Sequence, residues 1–285
     1  MRFPFFSLLL APVVLGLALV ACGRDKPAPA DSSPVSSRQA SNGAPAYGDM
    51  LVEGSIGDAS NLLPALASDS ASRDVIDLVY NGLIKSNANL NLVGDLAESW
   101  EVSPDRLTLT FHLRKGVRWH DGAPFTARDV MFTYQLMIDP NTKTPYGEDF
   151  KQVKKAQVID EFTFRVEYAR PLAPALLSWS MEIMPAHLLE GANLDETPLA
   201  RRPVGTGPYR LKEWETGRKI VLEANPDYFA GPPYIKRTVI RIIPDQAAMF
   251  LELKSGGLDL TTLTPTQYVQ ETNSPEFARD RKSVV

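Results

Sequence analysis

The chain has 285 residues, of which 44% are hydrophobic, 9% aromatic and 22% charged, with a formal net charge of −4. That apolar share supports a buried core and excludes a wholly disordered chain, while the missing basic excess argues against nucleic acid as a partner. One cysteine rules out an internal disulfide and a cysteine-based zinc site, and His112, His120 and His187 are too scattered to mark a metal cluster.

Arg2 precedes an apolar run from Phe3 to Ala21 that ends in Leu19-Val20-Ala21-Cys22. A basic start followed by an apolar stretch describes a secretory signal peptide over residues 1–21. The closing four residues resemble the bacterial lipobox, which implies acylation of Cys22 and attachment to a membrane. An uncleaved membrane helix is the competing reading, disfavoured by Pro12 and by the small residues before Cys22. Residues 22–47 are rich in Pro, Ala and Ser and lack a hydrophobic period, so they read as a flexible tether. Gly23, where an aspartate would signal inner-membrane retention, carries no such signal.

From Met50 onward strand and helix periods alternate. Val75, Leu78, Val79, Gly82 and Leu83 mark one face of a helix entered near Ser72. Leu107, Leu109, Phe111 and Leu113 alternate with polar residues as a half-buried strand, Arg114-Lys115-Gly116 reads as a turn, and Val117 and Trp119 resume the period of two. Thr126 with Asp129 forms a capping box for a helix whose face is Val130, Tyr134, Met137 and Ile138, stopped by Pro140. Phe162 to Tyr168, Ile220/Leu222 and Val239–Ile243 complete the strand set, and Asp245 caps a helix ending at Gly256-Gly257. The fold class is therefore mixed α/β.

No catalytic pattern survives. There is no Gly-x-Ser-x-Gly elbow, and Gly205-Thr206-Gly207 is followed by Pro208, which lacks the amide a phosphate loop needs. His112 and His120 are placed to face one another across the Arg114–Gly116 turn, but with no companion ligand they read as ordinary strand residues. Lys151, Lys154 and Lys155, and likewise Arg201 and Arg202, read as solvated faces.

Four ordered blocks carry a resemblance. They are Leu96–Asp105 running on through Thr108–Gly122, Pro124–Val130, Gly205–Leu211, and Asn225–Phe229 with Pro233–Ile235 and Ile242–Asp245 behind it. Together they closely resemble the extracellular solute-binding proteins of family 5, the dipeptide and oligopeptide binders of ABC importers. The resemblance spans about residues 50–265. It implies a two-lobed periplasmic-binding-protein fold that closes over its ligand, an ABC permease as partner, a monomeric state, no cofactor and no enzymatic activity. It also places the protein in the periplasmic space or on the outer face of the cytoplasmic membrane.

By the same resemblance, residues 48–260 form the first lobe, with an inserted subdomain at about 75–195, and residues 261–279 begin the second. Asp280–Val285 matches the translation of a common sequencing adapter and reads as a non-native tail. The family aspartate that pairs with a peptide's amino terminus belongs to the second lobe, so residues 1–285 alone are expected not to bind ligand with useful affinity. Ligand-facing residues implied in the first lobe are Ala67, Ser68, Asp69 and Ser70, together with Tyr146. The Trp119–Gly122 and Gly205–Tyr209 blocks read as structural turns rather than ligand contacts. Family relatives that bind nickel complexes, oligosaccharides or other small solutes leave the ligand open. An anchored surface hydrolase remains the alternative from another class.

Overall fold

The computed structural model describes residues 47–172 and 174–272. The expected signal peptide, Cys22, the tether as far as residue 46 and the 280–285 tail lie outside the described residues, and the stretch expected to open a second lobe is described only to residue 272.

In chain order the first half forms β1 (Gly48–Ser55), α1 (Ser70–Val79), β2 (Ile84–Ser86), β3 (Leu92–Gly94), β4 (Ala97–Val102), β5 (Thr108–Leu113), α2 (Ala127–Ile138) and α3 (Gly147–Phe150). There follow β6 (Val153–Asp160), β7 (Thr163–Tyr168), α4 (Ala186–Leu189), β8 (Tyr209–Glu215), β9 (Lys219–Ala224), β10 (Ile235–Ile242), α5 (Gln246–Lys254), β11 (Leu260–Thr261) and α6 (Pro265–Glu271). Two larger sheets dominate. One has the order β11-β1-β10-β9-β8, with β1 parallel to both of its neighbours and the rest antiparallel. The other, β4-β5-β7-β6, is antiparallel throughout. The chain leaves the first sheet after Ser55 and returns at Tyr209, so the whole second sheet lies in that excursion.

The expected strand pattern holds in β5, where Leu109, Phe111 and Leu113 are buried. Thr110 is buried as well, because β5 is a central strand and Arg165 Nε of β7 donates to Thr110 Oγ1 at 3.1 Å. The renewed strand at Val117 and Trp119 is not present. Only an isolated bridge joins Arg118 to Pro124, because the Asp121-Gly122 turn closes first, the Gly122 N–H donating to Trp119 O at 2.8 Å. Both Val117 and Trp119 are nonetheless buried.

Helix α1 starts earlier and stops sooner than its apolar period suggests. Asp69 is the N-cap, its Oδ1 accepting the Ser72 N–H at 2.7 Å, so Ser72 lies inside the first turn. At the other end Tyr80 is extended, and the backbone beyond it pairs sideways: Leu83 N–H donates to Trp179 O and Ile183 N–H to Asn81 O, each at 2.9 Å. Gly82 permits that approach, since a Cβ there would overlap the Ser180 carbonyl. Helix α2 carries the expected Thr126–Asp129 capping box and ends before Pro140, and Asp245 caps α5. Asp129 does more than cap. Its Oδ1 accepts the Ala186 N–H at 3.0 Å and so ties α4 to the start of α2.

Trp179 is the hub of the core beside the second sheet. Rings of Phe111, Phe150 and Phe164 lie 5.6, 5.3 and 5.2 Å from it, and its Nε1 donates to Tyr168 Oη at 3.1 Å. Aromatic contacts at such distances favour tilted or edge-on geometry, and the indole N–H is satisfied where it is buried.

Candidate functional site

A cleft of about 820 Å³ opens beside Arg73 and Asp77 of α1 and the Tyr80–Gly82 stretch that follows it, walled also by the Pro145–Phe150 stretch and by Ser178–Glu182. Of the residues implied as ligand-facing, Tyr146 lines this cleft and residues 67–70 do not. The two segments still meet, because Tyr146 Oη donates to the Ala67 carbonyl at 2.6 Å across 79 positions of sequence. Ala67 is fully buried, whereas Ser68 and Ser70 are exposed. Asp69 is occupied by the fold. Its carboxylate accepts from Ser72 N, Ser72 Oγ and Ser60 Oγ. Burial alone would raise its pKa, but these hydrogen bonds outweigh burial and hold it below the ordinary carboxylate range.

Two cleft residues escaped sequence reasoning. Arg73 of α1 forms an ion pair with Glu182 from 109 positions further on, and the Tyr146 ring centre lies 5.7 Å from its guanidinium carbon. Burial opposes the Arg73 charge, but Glu182 more than offsets it and keeps the guanidinium protonated. Burial pushes the Glu182 carboxyl up, with Arg73 pulling the other way. A signal was present: Glu182 interrupts the run Met181-Glu182-Ile183-Met184, and a carboxylate buried among such residues requires a cation. Which cation was not legible from spacing.

Further along the cleft Asp95 accepts from Asn81 Nδ2 at 2.8 Å and Lys85 Nζ at 2.9 Å. Asn81 Oδ1 in turn accepts from Thr206 Oγ1 at 3.0 Å. The network therefore fastens the Gly205–Gly207 loop to the end of α1. Gly205 packs so tightly there that a Cβ would overlap the Val79 carbonyl oxygen.

The histidines do not form a pair. His112 Nε2 lies 3.3 Å from Glu101 Oε1, and His187 Nε2 lies 2.7 Å from Asp121 Oδ2. His120 is inserted into the Gly205–Gly207 loop instead. Its Nδ1 accepts the Gly205 N–H at 3.2 Å and its Nε2 donates to Gly207 O at 3.0 Å, which requires the neutral Nε2–H form. Burial is the main reason its pKa falls to about 4. The Trp119–Gly122 and Gly205–Tyr209 blocks thus interlock with one another.

The two-sheet fold is that of a periplasmic binding protein. The model for bacterial extracellular solute-binding proteins, family 5 Middle, matches residues 91–283, and the chain belongs to that family, one of binding proteins rather than enzymes. Oligopeptide-binding protein AppA of Bacillus subtilis is 33% identical over 262 residues, which cover 90% of this chain and 47% of AppA. The structure of AppA in complex with a nonapeptide matches with a TM-score of 0.75 at 31% identity, over 81% of this chain and 47% of that one. DppA from Helicobacter pylori in complex with the peptide STSA matches with a TM-score of 0.73 at 30% identity, over 81% and 50%. NikZ from Campylobacter jejuni in complex with Ni(L-His) matches with a TM-score of 0.74 at 29% identity, over 80% and 46%. The chain spans about half the length of these relatives.

Proposed function

We propose that the protein is the peptide-capturing lipoprotein of an ABC importer, held at the membrane by acyl chains on Cys22 and delivering its ligand to the permease as a monomer. In this reading the described residues to about 260 supply the first lobe, and a second lobe closes over the cleft when ligand bridges both. The observation that supports this reading is the Tyr146–Ala67 hydrogen bond, which ties one implied ligand segment to Tyr146, a cleft-lining residue of the other. An extended peptide suits such a site, since main-chain hydrogen bonds hold it while wet side-chain pockets tolerate sequence variation. The similarity to NikZ supports a second reading, in which the same fold takes a nickel chelate.

The test is a thermal-shift panel on the protein purified from the cells that make it, with di- to pentapeptides, nickel-histidine and oligosaccharides. Selective binding to the folded state adds about 2.7 kcal/mol at a ligand concentration a hundredfold above Kd, so peptides are expected to raise the melting temperature. A rise with nickel-histidine or a sugar and none with peptides rejects the peptide reading. Intact mass of the same preparation tests the anchor. A mature chain beginning at an acylated Cys22 is expected, and an unmodified cysteine rejects it.

A further inference from the structure

Two cationic side chains line the cleft, Arg73 and Lys85, and both are taken up within the protein. The Arg73 guanidinium lies between Glu182 and Asp77, with Asp77 Oδ1 at 3.4 Å, and Lys85 Nζ donates to Asp95 Oδ1 at 2.9 Å. Two further carboxylates, Glu148 and Asp149, wall the same space. Glu148 Oε1 accepts from Lys151 Nζ at 2.6 Å, but Lys151 does not line the cleft. Asp149 Oδ2 accepts from a neutral group, the Ser178 hydroxyl, at 3.3 Å. The lining therefore carries five carboxylates and two cations, an excess of three negative charges. Asp74, also on α1, feels the same imbalance: burial raises its carboxyl pKa, and repulsion from Asp77 and Asp69 raises it further.

A cleft walled by one sign of charge focuses the field inside it and sorts what enters. An acidic side chain on a ligand finds no free cation here, because Arg73 and Lys85 already face carboxylates, and it meets the excess negative charge as repulsion. A basic side chain gains what the acidic one loses. Asp77 is the accessible part of this arrangement. Its side chain is 63% exposed, so a cationic group can approach it without giving up its water. Resting on the peptide reading above, we propose that the cleft selects peptides by charge, favouring those with a lysine or arginine side chain and rejecting those with an acidic one, through Asp77 and Asp149. Selection of this kind acts as much by repelling the wrong ligand as by holding the right one. Because the carboxylates involved are open to solvent, the preference is expected to fade as salt is added.

Calorimetry with alanine tetrapeptides carrying one lysine, one glutamine or one glutamate tests this, with the substituted residue moved through the four positions. For each position the termini are the same in all three peptides, so only the side-chain charge differs. The proteins are the wild type and the double variant Asp77→Asn/Asp149→Asn, both purified from the host, with melting temperatures recorded to establish folding. In about 0.01 M salt, where the screening length is about 30 Å, one or more positions are expected to show the lysine peptide binding roughly tenfold tighter than the glutamate peptide, with glutamine between them. In about 1 M salt, where that length is about 3 Å, the ratio is expected to fall below about threefold. The double variant is expected to shrink the low-salt ratio by at least about threefold. Equal binding of the three peptides at every position, or tighter binding of the glutamate peptide, overturns the charge preference. A preference that the double variant keeps in full overturns its assignment to Asp77 and Asp149. Failure of the wild type to bind any of the three peptides overturns the peptide reading itself, and this inference with it.

Discussion

His120 links a sequence block to a measurable pH response. Above pH 6.5 the folded and unfolded chains both hold a neutral imidazole. Between pH 6.5 and about 4 the unfolded chain takes up a proton that the buried side chain refuses, so stability falls as pH falls through that window. The linked loss approaches about 3 kcal/mol at the bottom of the window. Glu182 and Asp129, with carboxyl groups raised by burial, act in the opposite sense, so the comparison must be made against a variant. Urea unfolding at pH 7 and pH 4.5 is expected to show the wild type losing about 2–3 kcal/mol more than His120→Gln. Equal losses in the two proteins would mean that His120 is not held neutral. At this scale the sequence was a partial guide. His120 stood in a turn-forming block, but its partners Gly205 and Gly207 lie 85 and 87 positions away, and no local pattern encodes that pairing.

Elements were more legible where their signals are local. The Thr126–Asp129 box, the stop before Pro140 and the Asp245 cap depend on residues within one turn of each other, and each appears in the fold. Helix α1 was misjudged at both ends: at the start the local Asp69 cap on Ser72 was passed over, and at the finish the limit depends on tertiary bonds to the 179–183 segment. The same reasoning explains the strand that failed to form at Val117, where turn chemistry at Asp121-Gly122 overrode the period. The contact between α1 and the Gly205–Gly207 loop can be tested directly. Gly205→Ala drives a methyl group into the Val79 carbonyl, and overpacking of this kind costs about 3 kcal/mol. A fall in the urea midpoint with an unchanged slope is expected. A neutral substitution would show that the loop and helix separate freely.

At the scale of the molecule, the candidate site depends on residues that the chain brings together from three regions: the 67–73 stretch, the loop around Tyr146, and Glu182 after the second sheet. The family blocks made the fold readable, since they lie in turns, caps and strands whose chemistry is local. The cleft was harder to read, because its polar groups are single residues whose partners are 79 and 109 positions distant. The central claim is that this cleft receives an extended peptide. Hydrogen–deuterium exchange on the protein purified from its host, with and without a saturating tetrapeptide, tests it most directly. Slower exchange in residues 67–73 and 144–150 together is the expected result. Peptide binding registered by calorimetry with exchange unchanged in both segments would contradict it.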